Sequence, residues 1–339
     1  MKIGISANNG DIGGGEVMQL AIARALRELG HEVLVIGPQT PSDLIDAAQA
    51  EGFATHAVPG KGRKGYLAGL ATWRWRNRQM LLWCNGLVPA LATAGMGERI
   101  VHLHKLPEGA QMAAARIAAR GARAVLVPSR YMQRSLPFKT VLLENWTDQI
   151  APRGEVPRWE NLRIGFLGRT TRAKGVHLLA RAVGNLHRQR PVRFVIGGES
   201  RFENEREKMI VEETLGYVAP LTDRLGWVTR EDFFSRIDLA VFPSVAPESF
   251  GLVVAEAMAA GVPFVVSDSG GLPEVAGEDY PWVFPRGEAD ALTRMLAEIA
   301  EADQDANVAA CRKRWEENYS PAAGKNRLAR LLESLEVTA

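Results

Sequence analysis

The sequence predicts an α/β protein made of two Rossmann-like domains, each built around a parallel β-sheet. Strand-like apolar runs alternate with helical patterns along the chain, which is typical of βαβ units. A segment rich in proline and glycine interrupts the alternation near residue 150, after which it begins again. The 339 residues are long for a single hydrophobic core and sufficient for two. We therefore expect one domain at residues 1–150 and a second at 151–319.

The first half opens with an apolar strand followed by an amphipathic helix. The apolar side of that helix is formed by Met18, Ile22, Leu26 and Leu29. We expect this helix to end at Gly30. Further short apolar runs predict the other strands of this half, and the expected strands are residues 2–6, 33–36, 80–84, 100–103, 124–127 and 140–143.

The second half repeats the pattern after a linker at residues 150–157, which contains two prolines and a glycine. Its expected strands are residues 162–167, 194–196, 239–242 and 264–266. A final helical segment, residues 320–339, begins at the Ser320-Pro321 break.

The two halves differ in charge. Residues 1–150 hold 17 lysine and arginine residues against 11 acidic ones, a net charge of +6, and the remainder has 24 against 28, a net charge of −4. The basic half is therefore the one expected to meet an anionic acceptor or a membrane surface, although a few charges also serve solubility. Residues 61–78 mix basic and aromatic side chains. An interfacial helix that docks lipid acceptors explains this mixture, and a core-packed helix with a solvated basic side, slightly favoured by its apolar spacing, explains it too.

Composition is that of an ordinary globular protein. No run approaches the ~18 apolar residues of a membrane span, and the N-terminus leads directly into a strand, so we expect a cytoplasmic protein or one held peripherally at the inner membrane face. Cys84 and Cys311, one in each half, form neither a disulfide framework nor a metal site.

Two glutamates, Glu248 and Glu256, stand eight positions apart around a predicted helix N-terminus. Gly251 precedes an alanine-rich run that ends at Gly261, so we expect a helix between residues 250 and 261. The first amides of such a helix lack intrahelical partners and carry roughly half a positive charge, which suits a phosphate. Glutamates are usually surface residues, but Glu256 has almost only apolar neighbours in the sequence, and an acid in that setting needs a partner.

At these residues the chain resembles the retaining GT-B glycosyltransferases of family 4, which share an E-x7-E signature. The matching residues are Glu-Ser-Phe-Gly-Leu-Val-Val-Ala-Glu at 248–256, and Ser-Asp-Ser-Gly-Gly-Leu-Pro-Glu follows at 267–274. The resemblance covers essentially the whole chain and is strongest from 160 to 285. It implies a GT-B fold, in which two Rossmann-like domains with parallel sheets face each other across a cleft. In that fold the terminal segment, 320–339, packs back on the N-terminal domain.

The resemblance implies a donor site in the second domain. Arg169 and Lys174, which follow a strand-to-helix turn at Gly168, match the pair that grips the donor diphosphate. Glu248 would hold hydroxyls of the donor sugar, and Glu256 would hold those of the ribose. The expected donor-binding residues are Gly14, Gly15, Gly168, Arg169, Lys174, Glu248, Ser249, Phe250, Gly251, Leu252 and Glu256.

The first domain contributes a histidine to this interpretation. His104 ends a predicted strand and matches a family histidine that contacts the transferred sugar near its reacting carbon, although strand-end histidines are often structural. Asn85 and Lys105, also beside strand ends, are weaker acceptor-side candidates. The expected catalytic residues are Glu248, His104, Arg169 and Lys174.

These roles predict a retaining, metal-independent hexosyltransferase that moves a sugar from a nucleotide-sugar to an acceptor hydroxyl. The two cations and the helix N-terminus would stabilise the leaving group without a metal, and no cofactor is expected beyond the co-substrate, for which a UDP-sugar is favoured. The resemblance implies front-face substitution, in which the departing diphosphate oxygen takes the acceptor's proton. The acceptor is expected to be a small molecule, a glycan or a lipid-linked sugar, with no nucleic-acid partner.

Three alternatives remain. The glycine loop at residues 13–15 suggests a dinucleotide-binding oxidoreductase, but the G-x-G-x-x-G fingerprint fails at Met18. A sugar-nucleotide-binding protein on an inactive transferase fold would lack a residue such as Glu248, Arg169 or Lys174, and all three are present. A GT-B epimerase or phosphorylase shares the fold, and incubation with UDP-sugars separates it from a transferase.

Overall fold

The computed structural model describes residues 1–152, 161–199 and 205–336. The chain divides into two compact units. Unit 1 is Met1–Trp146 together with the terminal segment from Pro321, and unit 2 is Thr147–Ser320. The four residues 147–150 thus belong to unit 2, whereas the sequence pattern put the boundary after residue 150. Most of the linker expected at residues 150–157 lies outside the described residues.

Unit 1 is a seven-stranded parallel sheet covered by helices. Its strands are β1 Lys2–Ser6, β2 Glu32–Pro38, β3 Ala54–Val58, β4 Leu81–Asn85, β5 Arg99–His102, β6 Ala124–Val127 and β7 Val141–Leu142. Its helices are α1 Gly14–Glu28, α2 Asp43–Ala50, α3 Gly62–Arg76, α4 Leu87–Ala92, α5 Ala110–Ala118, α6 Arg130–Ser135 and α14 Pro321–Ser334. The strand order is β3-β2-β1-β4-β5-β6-β7.

The central strands of unit 1 are largely apolar because both faces of the sheet are buried. Every residue of β4 is buried, and β1 is buried except at Lys2. Parallel sheets with helices on both faces require such continuous apolar runs. Helix α1 packs on one face through Met18, Ile22 and Leu26, all fully buried. Helix α14 joins the same core through Leu328, so the terminal segment packs within unit 1.

Two arginines of unit 1 are fully buried and bind backbone carbonyls. Arg74 of α3 donates to the carbonyls of Asn77, Met80, Gly97 and Glu98. Arg99 of β5 donates to the carbonyls of Met96, Ala90, Ala118 and Arg120. Such charge-assisted bonds satisfy carbonyls that helix and strand ends leave without partners. One of the basic residues of α3, Arg74, therefore has a structural role and is not part of the exposed basic surface.

Unit 2 is a six-stranded parallel sheet of the same design. Its strands are β8 Leu162–Leu167, β9 Val192–Gly197, β10 Thr222–Gly226, β11 Leu239–Phe242, β12 Phe264–Ser267 and β13 Val283–Phe284. Its helices are α7 Val176–His187, α8 Glu205–Gly216, α9 Arg230–Ser235, α10 Leu252–Ala260, α11 Leu272–Ala276, α12 Ala289–Glu301 and α13 Asp305–Asn318, with a 3-10 turn at Ala219–Leu221. The strand order is β10-β9-β8-β11-β12-β13.

The two sheets share one topology. In each, the first strand of the unit lies between its second and its fourth, so the strand order reverses between β1 and β4 in unit 1 and between β8 and β11 in unit 2. Ligands of such sheets bind at the carboxyl ends of the strands beside this switch point. The predicted fold class, two parallel-sheet α/β domains, is confirmed. No helix in the described parts of the chain has the length and apolar character to cross a membrane.

Candidate active site

Two loops at the switch point of unit 2 bring charged side chains together. The loop after β8 carries Arg169 and Lys174, and the loop after β11 carries Ser244 and Glu248. Gly175, with φ 74°, immediately precedes α7, and a side chain there would overlap the Pro243 carbonyl. The backbones of the two loops therefore touch, which only glycine allows at this position.

Glu248 is held by two short hydrogen bonds. Its Oε1 accepts one from Lys174 Nζ at 2.6 Å and one from Ser244 Oγ at 2.6 Å. Burial acts to raise the pKa of the Glu248 carboxyl, but Lys174, Ser244 and the nearby charge of Arg169 outweigh it, so the pKa lies below its ordinary value. Both bonds fall on Oε1, and no described residue bonds to Oε2. The cluster therefore presents an ionised carboxylate with one oxygen available to a ligand.

The backbone around Glu248 and Lys174 is also fixed. The amide of Gly271 donates to the Glu248 carbonyl at 2.8 Å, which ties the loop to the segment after β12. The amide of Lys174 donates to Thr171 Oγ1 at 3.2 Å. Arg169 is exposed at the end of the turn that starts at Gly168. Two cations are thus presented beside one anchored carboxylate.

Helix α10 starts next to this cluster. Gly251, with φ 104°, precedes Leu252, and a side chain at this glycine would overlap Leu272. The helix begins two residues later than residue 250, where the sequence pattern put it. The amide of Val254 bonds to the Gly251 carbonyl, and the two amides before it precede the first intrahelical bond. These amides give the N-terminus its affinity for anions.

The remaining predicted donor residues around α10 differ in exposure. Ser249 and Leu252 are partly exposed. Phe250 is buried and packs edge-on against Tyr319, with ring centroids 5.5 Å apart. The Phe250 side chain therefore belongs to the core of unit 2, and its backbone lies close to Gly271.

Glu256 lies in the second turn of α10 and is buried, with 6% exposure. Its Oε1 accepts a hydrogen bond from Arg230 Nε at 3.1 Å, whereas Oε2 is buried and has no partner among the described residues. Burial raises the pKa of this carboxyl, Arg230 opposes the rise, and Asp148 and Glu231 add to it. A buried carboxylate oxygen without a donor calls for a ligand hydroxyl or a water molecule.

The switch point of unit 1 holds a neutral hydrogen-bonded chain. His104 follows β5, and its Nε2 lies 2.6 Å from Oδ1 of Asn85, the last residue of β4. Asn85 Nδ2 donates to the Gly15 carbonyl at 2.9 Å. Gly14 and Gly15 form the first turn of α1, and Glu16 Oε2 accepts a bond from the Gly13 amide at 3.2 Å. Burial lowers the pKa of His104 to about 4, so its imidazole is neutral at neutral pH.

The predicted site residues thus fall into three groups. Arg169, Lys174 and Glu248 meet at the switch point of unit 2, Glu256 pairs with Arg230, and the glycine loop meets His104 in unit 1. Sequence reasoning missed Ser244 and Arg230, which lie in no recognisable motif and act only through contacts with residues distant in the chain. Lys105 is exposed and adds nothing to the His104 group. Within residues 1–152, 161–199 and 205–336, no three His, Cys, Asp or Glu side chains are grouped to hold a metal ion.

In comparison with known proteins, each unit contains a stretch that matches a glycosyltransferase domain family. Residues 161–302 match the family described as Glycosyl transferases group 1, and residues 12–137 match Glycosyltransferase Family 4. The two matches correspond to unit 2 and to most of the main part of unit 1. They confirm the resemblance to GT-B glycosyltransferases that the sequence motifs predicted.

Individual relatives agree with this class. The chain is 35% identical over 170 residues to a D-inositol 3-phosphate glycosyltransferase of Corynebacterium urealyticum, covering 45% of this chain and 40% of the relative. It is 30% identical over 206 residues to an uncharacterized glycosyltransferase of Bacillus subtilis, covering 57% and 56%. The matches therefore span about half the length of these curated relatives.

Solved structures show a similar fold over 98% of the chain. HepE of Anabaena, solved in complex with UDP and glucose, covers 98% of this chain and 100% of its own, with a TM-score of 0.83 and 21% identity. Sucrose-phosphate synthase of Thermosynechococcus elongatus covers 98% of both chains, with a TM-score of 0.84 and 17% identity. At such identities the similarity establishes the fold.

Proposed function

We propose that the protein is a retaining hexosyltransferase that moves a sugar from a UDP-sugar to an acceptor hydroxyl without a metal ion. The observation that carries the proposal is the Lys174–Glu248–Ser244 cluster, held by two 2.6 Å bonds beside the N-terminus of α10. The similar HepE structures contain UDP with glucose, UDP alone or UDP-glucose, which supports uridine as the base.

The cluster suits a departing diphosphate. When the bond between the sugar and its diphosphate breaks, negative charge grows on the leaving oxygen. Arg169, Lys174 and the first amides of α10 would place two full positive charges and roughly half of another around it. The backbone at Lys174 is fixed before any ligand arrives, by the close approach of Gly175 to the Pro243 carbonyl and by the hydrogen bond from the Lys174 amide to Thr171 Oγ1. Such preorganisation lets the enzyme stabilise the charge without reorganising its own dipoles.

Glu248 suits the sugar, and Glu256 suits the ribose. The low pKa of Glu248 keeps it ionised, so its Oε2 can accept a sugar hydroxyl and offset the positive charge that develops on the ring. The partnerless Oε2 of Glu256 would accept a ribose hydroxyl and thereby remove a buried unsatisfied acceptor. Both roles use an oxygen that no described residue occupies.

Retention follows from a front-face mechanism. The acceptor hydroxyl forms its bond to the anomeric carbon on the same face from which the diphosphate leaves, and its proton passes to the departing diphosphate oxygen. Glu248 is already engaged by Lys174 and Ser244, which suits a charge-stabilising role better than that of a nucleophile. The neutral His104 would contact the sugar without adding positive charge.

The test is a transfer assay with donor panels. We expect UDP-sugars to raise the melting temperature more than GDP- or ADP-sugars, and NMR to show product with the anomeric configuration of the donor, formed at the same rate in EDTA. Binding without turnover would identify a sugar-nucleotide-binding protein. Interconversion of donors without an acceptor would identify an epimerase. Loss of activity in EDTA that manganese or magnesium restores would contradict metal independence.

We also propose that unit 1 meets an anionic membrane or a lipid-linked acceptor through α3. No aspartate or glutamate occurs between Glu51 and Glu98. The exposed basic residues of this stretch are Lys61, Arg63, Lys64, Arg76 and Arg78. Trp75 is 62% exposed, with the Arg78 guanidinium 5.2 Å from its ring centre. Basic residues around an exposed tryptophan are the composition of an interfacial surface.

A further inference from the structure

Asn85 connects two parts of the unit 1 switch point that are distant in the sequence. Its side chain bonds to His104, which follows β5, and to the carbonyl of Gly15 in the first turn of α1. Asn85 is fully buried, so neither of its bonds is exchanged easily with water. The ring of His104 packs against the same glycine, because a Cβ at Gly15 would lie 3.7 Å from His104 Cδ2.

These contacts define which nitrogen of His104 carries the proton. A backbone carbonyl only accepts hydrogen bonds, so the Asn85 atom facing Gly15 is the Nδ2 donor and the atom facing His104 is the Oδ1 acceptor. His104 Nε2 must therefore be protonated. In a neutral imidazole this leaves Nδ1 without a proton, and Nδ1 has no partner among the described residues.

We propose that Asn85 is a positioning residue that holds His104 in its neutral, Nε2-protonated form, with the ring oriented against the first turn of α1. The proposal rests on the proposed function, in which His104 contacts the transferred sugar. The sugar gains positive charge in the transition state, so an imidazolium beside it would slow the reaction and a neutral imidazole would not.

An asparagine fits this task better than an aspartate. A carboxylate at position 85 would stabilise the imidazolium and raise the pKa of His104. It would also face the Gly15 carbonyl without a proton to donate. Two other titratable groups lie near His104, one beside its ring and one in helix α1, against which the ring packs. His102 lies 4.0 Å from His104 by ring centroids and is itself kept neutral by burial, and Glu16, in the first turn of α1, is engaged by the Gly13 amide.

The experiment combines NMR with a pH profile. In protein labelled with ¹⁵N-histidine, we expect the His104 signals of the Nε2-protonated tautomer, unchanged between pH 6 and pH 8. In Asn85→Asp, we expect the pKa of His104 to rise by at least about 1 unit. The kcat of this variant should then fall up to about tenfold as pH drops through the new pKa, whereas kcat of the wild type stays level. Asn8→Asp is the matched control, because it adds the same charge after β1, where Asn8 Oδ1 accepts a bond from the Val88 amide.

Two results would overturn the proposal. One is an Nδ1-protonated His104 in the wild type, a measurement that needs no variant to fold. The other is an Asn85→Asp protein, folded by its NMR spectrum, in which the His104 pKa does not move. The failure of the proposed function is a separate outcome. If no donor is turned over, the tautomer and the pKa of His104 still confirm or contradict the role of Asn85.

Discussion

The two units have the same strand order, but their switch points carry different chemistry. In unit 2 the loops after β8 and β11 present Arg169, Lys174 and Glu248, which are charged and partly accessible. In unit 1 the equivalent positions, after β1 and at the end of β4, present the glycine loop and the buried Asn85, which is bonded to a neutral histidine. The sheet therefore determines where ligand-binding loops lie, and the side chains determine what they bind. The charged switch point has the cations that suit a diphosphate and a carboxylate that suits sugar hydroxyls, and the neutral one has only uncharged groups.

Removing one cation from the charged switch point should reduce both catalysis and the affinity for UDP. Lys174→Ala eliminates both the proposed diphosphate contact and the partner of Glu248, so we expect kcat/KM to fall about 10²- to 10³-fold. The affinity for UDP should fall by about 1.5 to 3 kcal/mol while that for uridine is unchanged. Arg169→Ala should show the same selectivity. Calorimetry with UDP and uridine measures both.

Arg172→Ala is the matched control for these variants. Arg172 is an exposed arginine in the same loop, 3.7 Å from Glu207, and we assign it no donor contact. If Lys174→Ala weakens UDP and uridine equally, or if Arg172→Ala has the same effect, the diphosphate is not bound by this loop.

Glu256 separates binding from turnover, because the role proposed for it is confined to binding of the ribose. Glu256→Gln removes the charge at the ribose but leaves the diphosphate cluster intact, so we expect UDP affinity to fall about tenfold. The kcat at saturating donor should stay within about twofold. Unchanged UDP affinity in a folded variant would remove Glu256 from the nucleotide site.

The buried, uncharged His102 of unit 1 should make the free energy of unfolding depend on pH. His102 is fully buried with no partner for either nitrogen among the described residues, and its pKa is well below the ordinary 6.5. The unfolded chain therefore binds a proton below pH 6.5 that the folded chain does not, and this destabilises the fold by up to about 1.4 kcal/mol per pH unit. We expect His102→Leu to lose less stability than the wild type between pH 7.5 and pH 5.5. Equal losses in urea titrations would show that His102 is protonated in the folded state.

The exposed basic side of α3 gives the smallest expected effect. Lys64→Ala should weaken binding to phosphatidylglycerol vesicles about fivefold, because each basic residue near an anionic surface contributes about 1 kcal/mol. Lys313→Ala removes an equivalent exposed charge from unit 2 and should change nothing. Neutral phosphatidylcholine vesicles are the second control. Equal effects of the two variants would show that net charge, and not α3, governs association.

The sequence predicted the central strands and one edge strand, β7, and it missed the other three edge strands. Strands β4 and β11 are buried throughout and appear as continuous apolar runs. These three strands, β3, β10 and β13, each pair with a single neighbour, and β3 and β10 are only partly buried. An edge strand has no second partner to impose an apolar pattern.

In the candidate site, the sequence predicted individual residues but not the contacts between residues that are distant in the chain. Glu248, Glu256, Arg169 and Lys174 were predicted from short motifs at strand and helix ends. The contacts that set their properties were not predicted, because Lys174 and Glu248 are separated by 74 positions and Arg230 and Glu256 by 26. The buried Arg74 was missed for the same reason, since its carbonyl partners are assembled only by the fold.

Glu248→Gln tests the central claim most directly. Glutamine keeps an Oε1 that can accept the bonds from Lys174 and Ser244, so the substitution changes the charge with little change in shape. If Glu248 stabilises the sugar as it gains positive charge, turnover at saturating donor should fall about 100-fold or more, while UDP affinity stays within about twofold. A folded Glu248→Gln protein that is saturated with its donor and turns over at the wild-type rate would contradict the assignment of this switch point to glycosyl transfer.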